Sequence, residues 1–262
     1  MKLLLQTIAV AFGMWSAVPV RRVVWNEKNL RFSLLAFPLI GVVLGLLFYG
    51  WTALAGVLSL PPLLRAAGYV VLPPLLTGGI HLDGYADTAD ALASWGEPER
   101  KREILKDPHT GAFAVIRLCL YLLTYFTLCT VLSLDGWRAG CVFGATFVLS
   151  RCLSGAAVAW FPKASDTGLA RTFSDAADRK TVGTVLTLSA ALLSAGMIAL
   201  EPLRGALTVL AALLVFWHYH HMANRQFGGI TGDLAGWFLQ KAEWWMLFAY
   251  VFTPYLQNAL TR

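Results

Sequence analysis

The chain has 262 residues, of which 57% are hydrophobic and 14% charged, and its mean hydropathy is +0.61. Ordinary soluble domains carry about 45–50% apolar and about 25% charged residues, so this composition excludes disorder and argues against a soluble enzyme. The formal net charge is +6; beside so large an apolar excess, the basic residues are read as membrane-topology signals and not as a nucleic-acid surface.

At the N-terminus, Lys2 and the apolar run 3–15 imitate a signal peptide. No A-x-A-like cleavage site follows, and Pro19 and Arg21-Arg22 come instead, so an uncleaved interfacial or half-inserted helix is expected. Seven longer apolar runs follow: 32–58, 66–80 continuing helically past Asp90, 110–132, 139–161, 181–200, 205–220 and 239–256. Each is near the length of about 20 residues that crosses a bilayer. Pro73-Pro74 and Gly78-Gly79 interrupt the second, where a kink or unwound turn is expected. The fold expected is all-α: one polytopic transmembrane helix bundle of about seven spans plus the N-terminal helix, forming a single domain over 1–262.

The connectors alternate in charge. Residues 59–65, 133–138 and 201–204 carry one cation each, Arg65, Arg138 and Arg204. The loops 16–31, 94–109 and 162–180 carry four each, and 221–241 carries Arg225 and Lys241. Seven spans put these basic loops on one side, and the positive-inside rule makes that side cytoplasmic. Cys119, Cys129, Cys141 and Cys152 lie in apolar stretches without a C-x-x-C pair and read as small buried hydrophobes. Gly78-Gly79-Ile80 and Gly228-Gly229-Ile230 echo each other, each ahead of an acidic residue, either as a weak repeat or by coincidence.

The chemistry concentrates at His81-Leu82-Asp83-Gly84-Tyr85-Ala86-Asp87-Thr88-Ala89-Asp90. Asp83, Asp87 and Asp90 recur at i, i+4 and i+7, which sets three carboxylates on one face of a helix. Like charges at that spacing repel; a hard divalent cation with oxygen ligands cancels them, and a solvated helix end is the alternative. Downstream, 97–107 reads as a short cytoplasmic helix. On it Glu103 and Asp107 either face the first row, or pair with Arg100 or Lys106 and cap the next helix, respectively. Gly228–Asp233 offers a glycine-rich turn able to bind phosphate, with Asp233 as a site residue or a helix cap. Glu243, a turn inside an apolar segment, and Arg151, in the middle of a span, each read as functional or as half of an ion pair. Arg171 belongs to a polar loop, 165–173, that either meets an anionic substrate or is an ordinary loop. His218, His220 and His221 read as interfacial packing, and the ten tryptophans as interface anchors.

These motifs resemble the cobalamin synthase family, the adenosylcobinamide-GDP ribazoletransferases. The resemblance rests on Thr77–Asp90, with its specific His-Leu-Asp-Gly-x-x-Asp-x-x-Asp core, then Glu103–Asp107 with Gly111, Phe37–Gly41, Ser150-Arg151, Gly168-Leu169 and Thr231–Asp233. It spans about residues 10–245. It implies an integral enzyme of a bacterial or archaeal cytoplasmic membrane that joins adenosylcobinamide-GDP to α-ribazole or its 5′-phosphate, releases GMP and requires Mg²⁺. The partners implied are these corrinoid and ribazole substrates and the lipid bilayer, with no nucleic acid; a homo-oligomer or contacts with other cobalamin-assembly enzymes stay open. On this reading Asp83, Asp87, Asp90 and Asp107 hold the metal, and Asp90 or Asp107 takes the hydroxyl proton. His81 contacts phosphate or orients a carboxylate. Arg151, Arg171, Glu103, Gly232, Asp233 and Glu243 contact substrate, with Arg151 or Arg171 at the leaving GMP.

A more distant resemblance is to CDP-alcohol phosphotransferases. Asp87-x-x-Asp90 fits the opening of their motif and Glu103-x-x-x-Asp107 stands at its last two acids. Ala91 and Glu99 replace its glycines, and its Ala-Arg pair is missing. An ion-coupled transporter is the reading from another class, and would place its acids near the membrane midplane.

Overall fold

The computed structural model describes residues 2–20, 23–165 and 167–260. Arg21, Arg22 and Asp166, which the sequence reading places in basic loops, lie outside the described residues. The twelve helices found among those residues are α1 (Lys2–Trp15), α2 (Glu27–Leu30), α3 (Ser33–Val57), α4 (Pro62–Thr77), α5 (Ile80–Ala93), α6 (Pro98–Ile104), α7 (Ala112–Thr130), α8 (Gly136–Trp160), α9 (Leu169–Ala176), α10 (Arg179–Leu200), α11 (Pro202–Phe227) and α12 (Gly232–Leu260). No strand occurs among them; one parallel bridge joins Lys163 to Ile230. The expected all-α bundle is the fold observed.

Five helices, α3, α7, α8, α10 and α11, are long and apolar enough to cross a membrane, and the bent pair α4–α5 makes a sixth span if counted as one. α12 corrects the count of seven by composition: its 29 residues exceed the length needed, but its apolar content falls short. The reason is its place. It packs against α5, α7, α8 and α11, which cover Gln240, Glu243 and Thr253, so these side chains meet protein rather than lipid. α12 still runs the length of the bundle. Asp233 lies in its first turn among the basic loops, and at the other end the Tyr250 hydroxyl donates to Ala139 O at 3.1 Å and lies 3.4 Å from Arg204, in the first turns of α8 and α11 beside the loops of opposite type.

α8 is the central helix, buried along most of its length against α3, α10 and α12. Its contact with α3 relies on Gly41 and Gly45 meeting Gly144 and the Phe147 carbonyl; a Cβ on Gly45 would stand 3.1 Å from Gly144 Cα. Such G-x-x-x-G spacing lets two backbones approach inside a bilayer, where dispersion replaces the hydrophobic drive. The break in the second run falls at the glycines and not at the prolines. Pro73 and Pro74 remain inside α4, where Thr77 Oγ1 donates back to Pro73 O at 2.9 Å. Gly78 and Gly79 take φ of +66° and +79°, and the chain turns by 95°.

The basic loops meet at one end of the bundle. Arg31 pairs with Asp178 at 2.9 Å, Arg102 donates to Phe227 O at 2.8 Å, and Ala164 N donates to Ile230 O at 3.0 Å. These bonds link all four loops that the charge count assigns to one side. Cys129 and Cys152 are buried as expected, whereas Cys119 and Cys141 lie exposed on the outer faces of their apolar helices.

Candidate active site

The two Gly-Gly-Ile segments do the same structural work. Gly228 and Gly229, with φ of +76° and +150°, end α11 just as Gly78 and Gly79 end α4, and each segment launches a new helix. Asp83 and Asp233 both lie five residues after the first glycine of their segment. The two launched helices, α5 and α12, then cross at small residues. A Cβ on Gly84 would lie 2.7 Å from Asp233 O, and one on Gly236 3.2 Å from His81 O. This crossing brings Asp233 within electrostatic range of Asp83 and Asp87. The helix-cap role open to Asp233 falls instead to Thr231, whose Oγ1 accepts Leu234 N at 3.2 Å. Gly84→Ala must therefore force the helices apart at a cost of roughly 1–3 kcal/mol, and is expected to lower both melting temperature and turnover. A variant matching wild type in both would contradict the crossing.

Three cavities surround this acidic face. The first, about 270 Å³, is walled by Trp15, Phe37, Phe173 and Leu239, with His81, Asp83 and Asp233 on its polar side. His81 is buried edge-on to Phe37, and its Nε2 has no hydrogen-bond partner among the described residues. The second, about 390 Å³, shares Leu169, Ala170, Gly232 and Asp233 with the first and is lined by three cations, Arg102, Lys106 and Arg171. Arg171 Nε is 2.6 Å from Asp175. The third, about 320 Å³, lies at the far end of the row and holds Asp90 and Asp107. Asp90 Oδ1 accepts Ala114 N at 3.3 Å, and a Cβ on Gly111 would strike its carboxylate. Glycine at that position is what lets α5 and α7 meet there.

Some sequence expectations find other partners. α6 ends at Ile104, so Glu103 and Asp107 do not share a helical face. Glu103 is exposed and pairs with Arg100 at 2.8 Å. Asp107 accepts the His109 backbone N–H at 2.9 Å and meets its ring at 2.7 Å, bonds that hold its carboxyl below the usual range; it caps this turn and not α7. Arg151 and Glu243 meet each other: Nη1 lies 2.6 Å from Oε1, the side chains are 1% and 4% exposed, and Ser150 donates to the same carboxylate oxygen at 3.0 Å. Substrate contact read for these two gives way to an ion pair that ties α8 to α12.

Composition pointed to loop cations, but not to Arg102, Lys106 or Lys163 as neighbours of the site. Lys163 sits in the strap formed by residues 162–164 and 229–231, and its Nζ donates to Phe161 O at 2.6 Å. Burial, and next the charges of Arg179 and Arg171, lower its pKa to about 8. Only the fold gathers these residues, because they come from two loops far apart in sequence, 94–109 and 162–180.

Among the described residues no three His, Cys, Asp or Glu side chains already converge as a metal cage. Yet Asp83, Asp87, Asp90 and Asp233 have no Lys or Arg ion pair among those residues, and all offer hard oxygen donors. Such a set fits Mg²⁺, which takes one or two carboxylates and completes its shell with water and substrate phosphates.

Fold and site define a class: a polytopic, all-helical membrane protein with a carboxylate row and an adjoining cationic cleft at one end of its bundle. The family model described as cobalamin-5-phosphate synthase matches residues 7–251, and the chain belongs to that family. It is 41% identical to an adenosylcobinamide-GDP ribazoletransferase of Lachnoclostridium phytofermentans over 91% of this chain and 90% of that protein. Identity to proteins of the same name is 32% in Geobacillus kaustophilus, over 89% of this chain and 90% of the relative, and 36% in Pseudomonas putida, over 89% and 93%. No solved structure matches the chain.

Proposed function

We propose that this protein transfers the adenosylcobinamide-phosphate group of adenosylcobinamide-GDP to α-ribazole or its 5′-phosphate and releases GMP. The observation that carries this reading is the meeting of the α5 carboxylate row with Asp233 beside a cleft lined by Arg102, Lys106 and Arg171. Displacement at phosphorus needs charge neutralisation and in-line positioning more than covalent help. The cationic cleft suits the phosphates of the nucleotide, with Arg171 at the leaving GMP. The aromatic walls of the first cavity suit the flat base of α-ribazole, where the unpartnered His81 Nε2 meets a polar group of the ligand.

Asp83, Asp87 and Asp90, with Asp233, would hold Mg²⁺, and bound there it would neutralise phosphate oxygens. Asp107 lines the cavity at the end of the row with Asp90, and its Oδ1 is engaged by His109. A ribose hydroxyl of α-ribazole attacks the phosphorus that bears cobinamide, the bond to GMP breaks, and a carboxylate of the row takes the hydroxyl proton. Asp90 is the stronger candidate, because the His109 bonds make Asp107 a weaker base. Asp90→Asn is expected to cost at least about tenfold more turnover than Asp107→Asn, with general-base catalysis contributing about 10²–10⁴-fold. The reverse order in steady-state rates would move the base to Asp107.

The site faces the cytoplasm of a bacterial or archaeal inner membrane on this reading, because the basic loops gather at the same end. Acids clustered at one end, and not at the middle of the bundle, favour an enzyme over a transporter. Protein in lipid vesicles should turn adenosylcobinamide-GDP and α-ribazole into equal amounts of GMP and a new corrinoid. CDP-diacylglycerol with an alcohol acceptor should yield no CMP. CMP release without corrinoid turnover would transfer the assignment to a phospholipid-type phosphotransferase.

A further inference from the structure

The cavity of about 270 Å³ has two unlike sides. The Trp15 ring centre lies 4.7 Å from that of Phe37 and 4.8 Å from that of Phe173, so rings from α1, α3 and α9 join into one aromatic wall. The polar lining comes from other helices: His81 and Asp83 on α5, Asp233 in the first turn of α12, and Ser154 on α8. Small-molecule sites usually span about 300–1,000 Å³, so this one admits a single flat ring system and not a corrinoid.

His81 is 4% exposed, and its ring stands edge-on to Phe37 with the centres 5.9 Å apart, at the margin of the aromatic wall. Its Nε2 is shut off from bulk solvent and has no hydrogen-bond partner among the described residues. A buried polar atom left in that state is costly, and native structures rarely keep one without a use.

The chemistry of α-ribazole limits what that atom can meet. One nitrogen of its bicyclic base carries the ribose. The other is the one polar atom left on the base; it has a lone pair and no proton, so it accepts one hydrogen bond and donates none. An imidazole Nε2–H is the matching donor. Both nitrogens belong to the five-membered ring, with one carbon between them. A bond from His81 to the free nitrogen therefore turns that ring, and the ribose on it, to the polar side that holds Asp83 and Asp233. The carbocyclic ring is left for the aromatic wall, where offset or edge-on contacts suit it.

We infer that His81 is the specificity-determining residue for the acceptor: its Nε2–H donates to the free ring nitrogen, so the site selects bicyclic bases with an unprotonated nitrogen there and disfavours those with carbon in its place. The inference rests on the reading of the protein as a transferase to α-ribazole.

The test compares α-ribazole with its indole counterpart, in which carbon replaces the free nitrogen and the shape is kept. Calorimetry of the full chain in lipid nanodiscs, without the corrinoid substrate, reads both affinities apart from turnover. Wild type is expected to bind α-ribazole roughly tenfold or more tightly than the indole compound, which leaves a buried donor unpaired. His81→Phe should bind the two alike. His81→Gln, whose side-chain amide also donates, should keep most of the preference. Circular dichroism reports folding, and should His81→Phe not fold, the wild-type ratio decides. Equal affinities in wild type overturn the inference. So does an unchanged preference in folded His81→Phe, and its loss in Ser154→Ala alone would give the selection to Ser154. GMP release from adenosylcobinamide-GDP separates the two failures. Release by a wild type that binds both ligands alike removes the selection by His81 and leaves the transfer, whereas neither α-ribazole binding nor release removes both.

Discussion

Asp87→Asn is expected to lose roughly a hundredfold or more of GMP release while the folded protein becomes slightly more stable. The two effects have one cause. Asp87 occupies the middle of the α5 row and faces charge from Asp83, Asp90 and Asp233. A carboxylate held among three others costs folding energy, because like charges in a partly dehydrated place repel. The amide keeps the shape and removes the repulsion, and it also removes a hard anionic ligand. Turnover should fall and melting temperature should hold or rise. A fall in both would instead mark Asp87 as a structural residue. Wild-type turnover in folded Asp87→Asn protein would remove the row from the reaction.

The Arg151–Glu243 pair should behave in the opposite way. Glu243→Leu or Arg151→Met leaves one full charge inside the bundle with no counter-charge, which typically costs about 3–5 kcal/mol. Both residues are almost fully enclosed and lie on helices that pack together, α8 and α12, so rearrangement gives the orphaned charge little access to water. Each single variant is expected to lower the melting temperature sharply. The double variant Arg151→Met with Glu243→Leu should recover much of that loss, since a buried pair replaced by apolar groups is often neutral. Detergent melting curves for the four proteins give the coupling. Additive losses would show that the two charges do not depend on each other.

Much of this architecture was legible in the sequence, and the reasons are physical. Apolar run length marks the spans because a bilayer core has one thickness. The charge alternation of the loops sorted them correctly into two ends, as the bonds from Arg31 to Asp178 and from Arg102 to Phe227 show. The i, i+4, i+7 acids fell on one helix because the helical repeat requires it. What could not be read were contacts between elements far apart in sequence. Nothing local tells that Gly84 faces the Asp233 backbone, or that the two Gly-Gly-Ile turns launch helices that cross. The Arg151–Glu243 pair joins residues 92 positions apart. Its buried ion pair was one of two readings, since an intramembrane charge alone does not say whether it meets protein or ligand. Helix α12 was countable as a span only by length, because partners on several sides relax the demand for apolar residues. Asp107 illustrates the converse. The i, i+4 spacing from Glu103 was real, but α6 stopped at Ile104 and the spacing lost its meaning.

The central claim is that the carboxylate row serves a metal-assisted transfer that releases GMP. The most direct measurement is GMP formation by wild-type protein in lipid vesicles, from adenosylcobinamide-GDP and α-ribazole, as Mg²⁺ is removed with chelator and then restored. The account predicts that GMP and the new corrinoid appear together, vanish together under chelation and return together with Mg²⁺. Corrinoid product formed at an undiminished rate under chelation would contradict it.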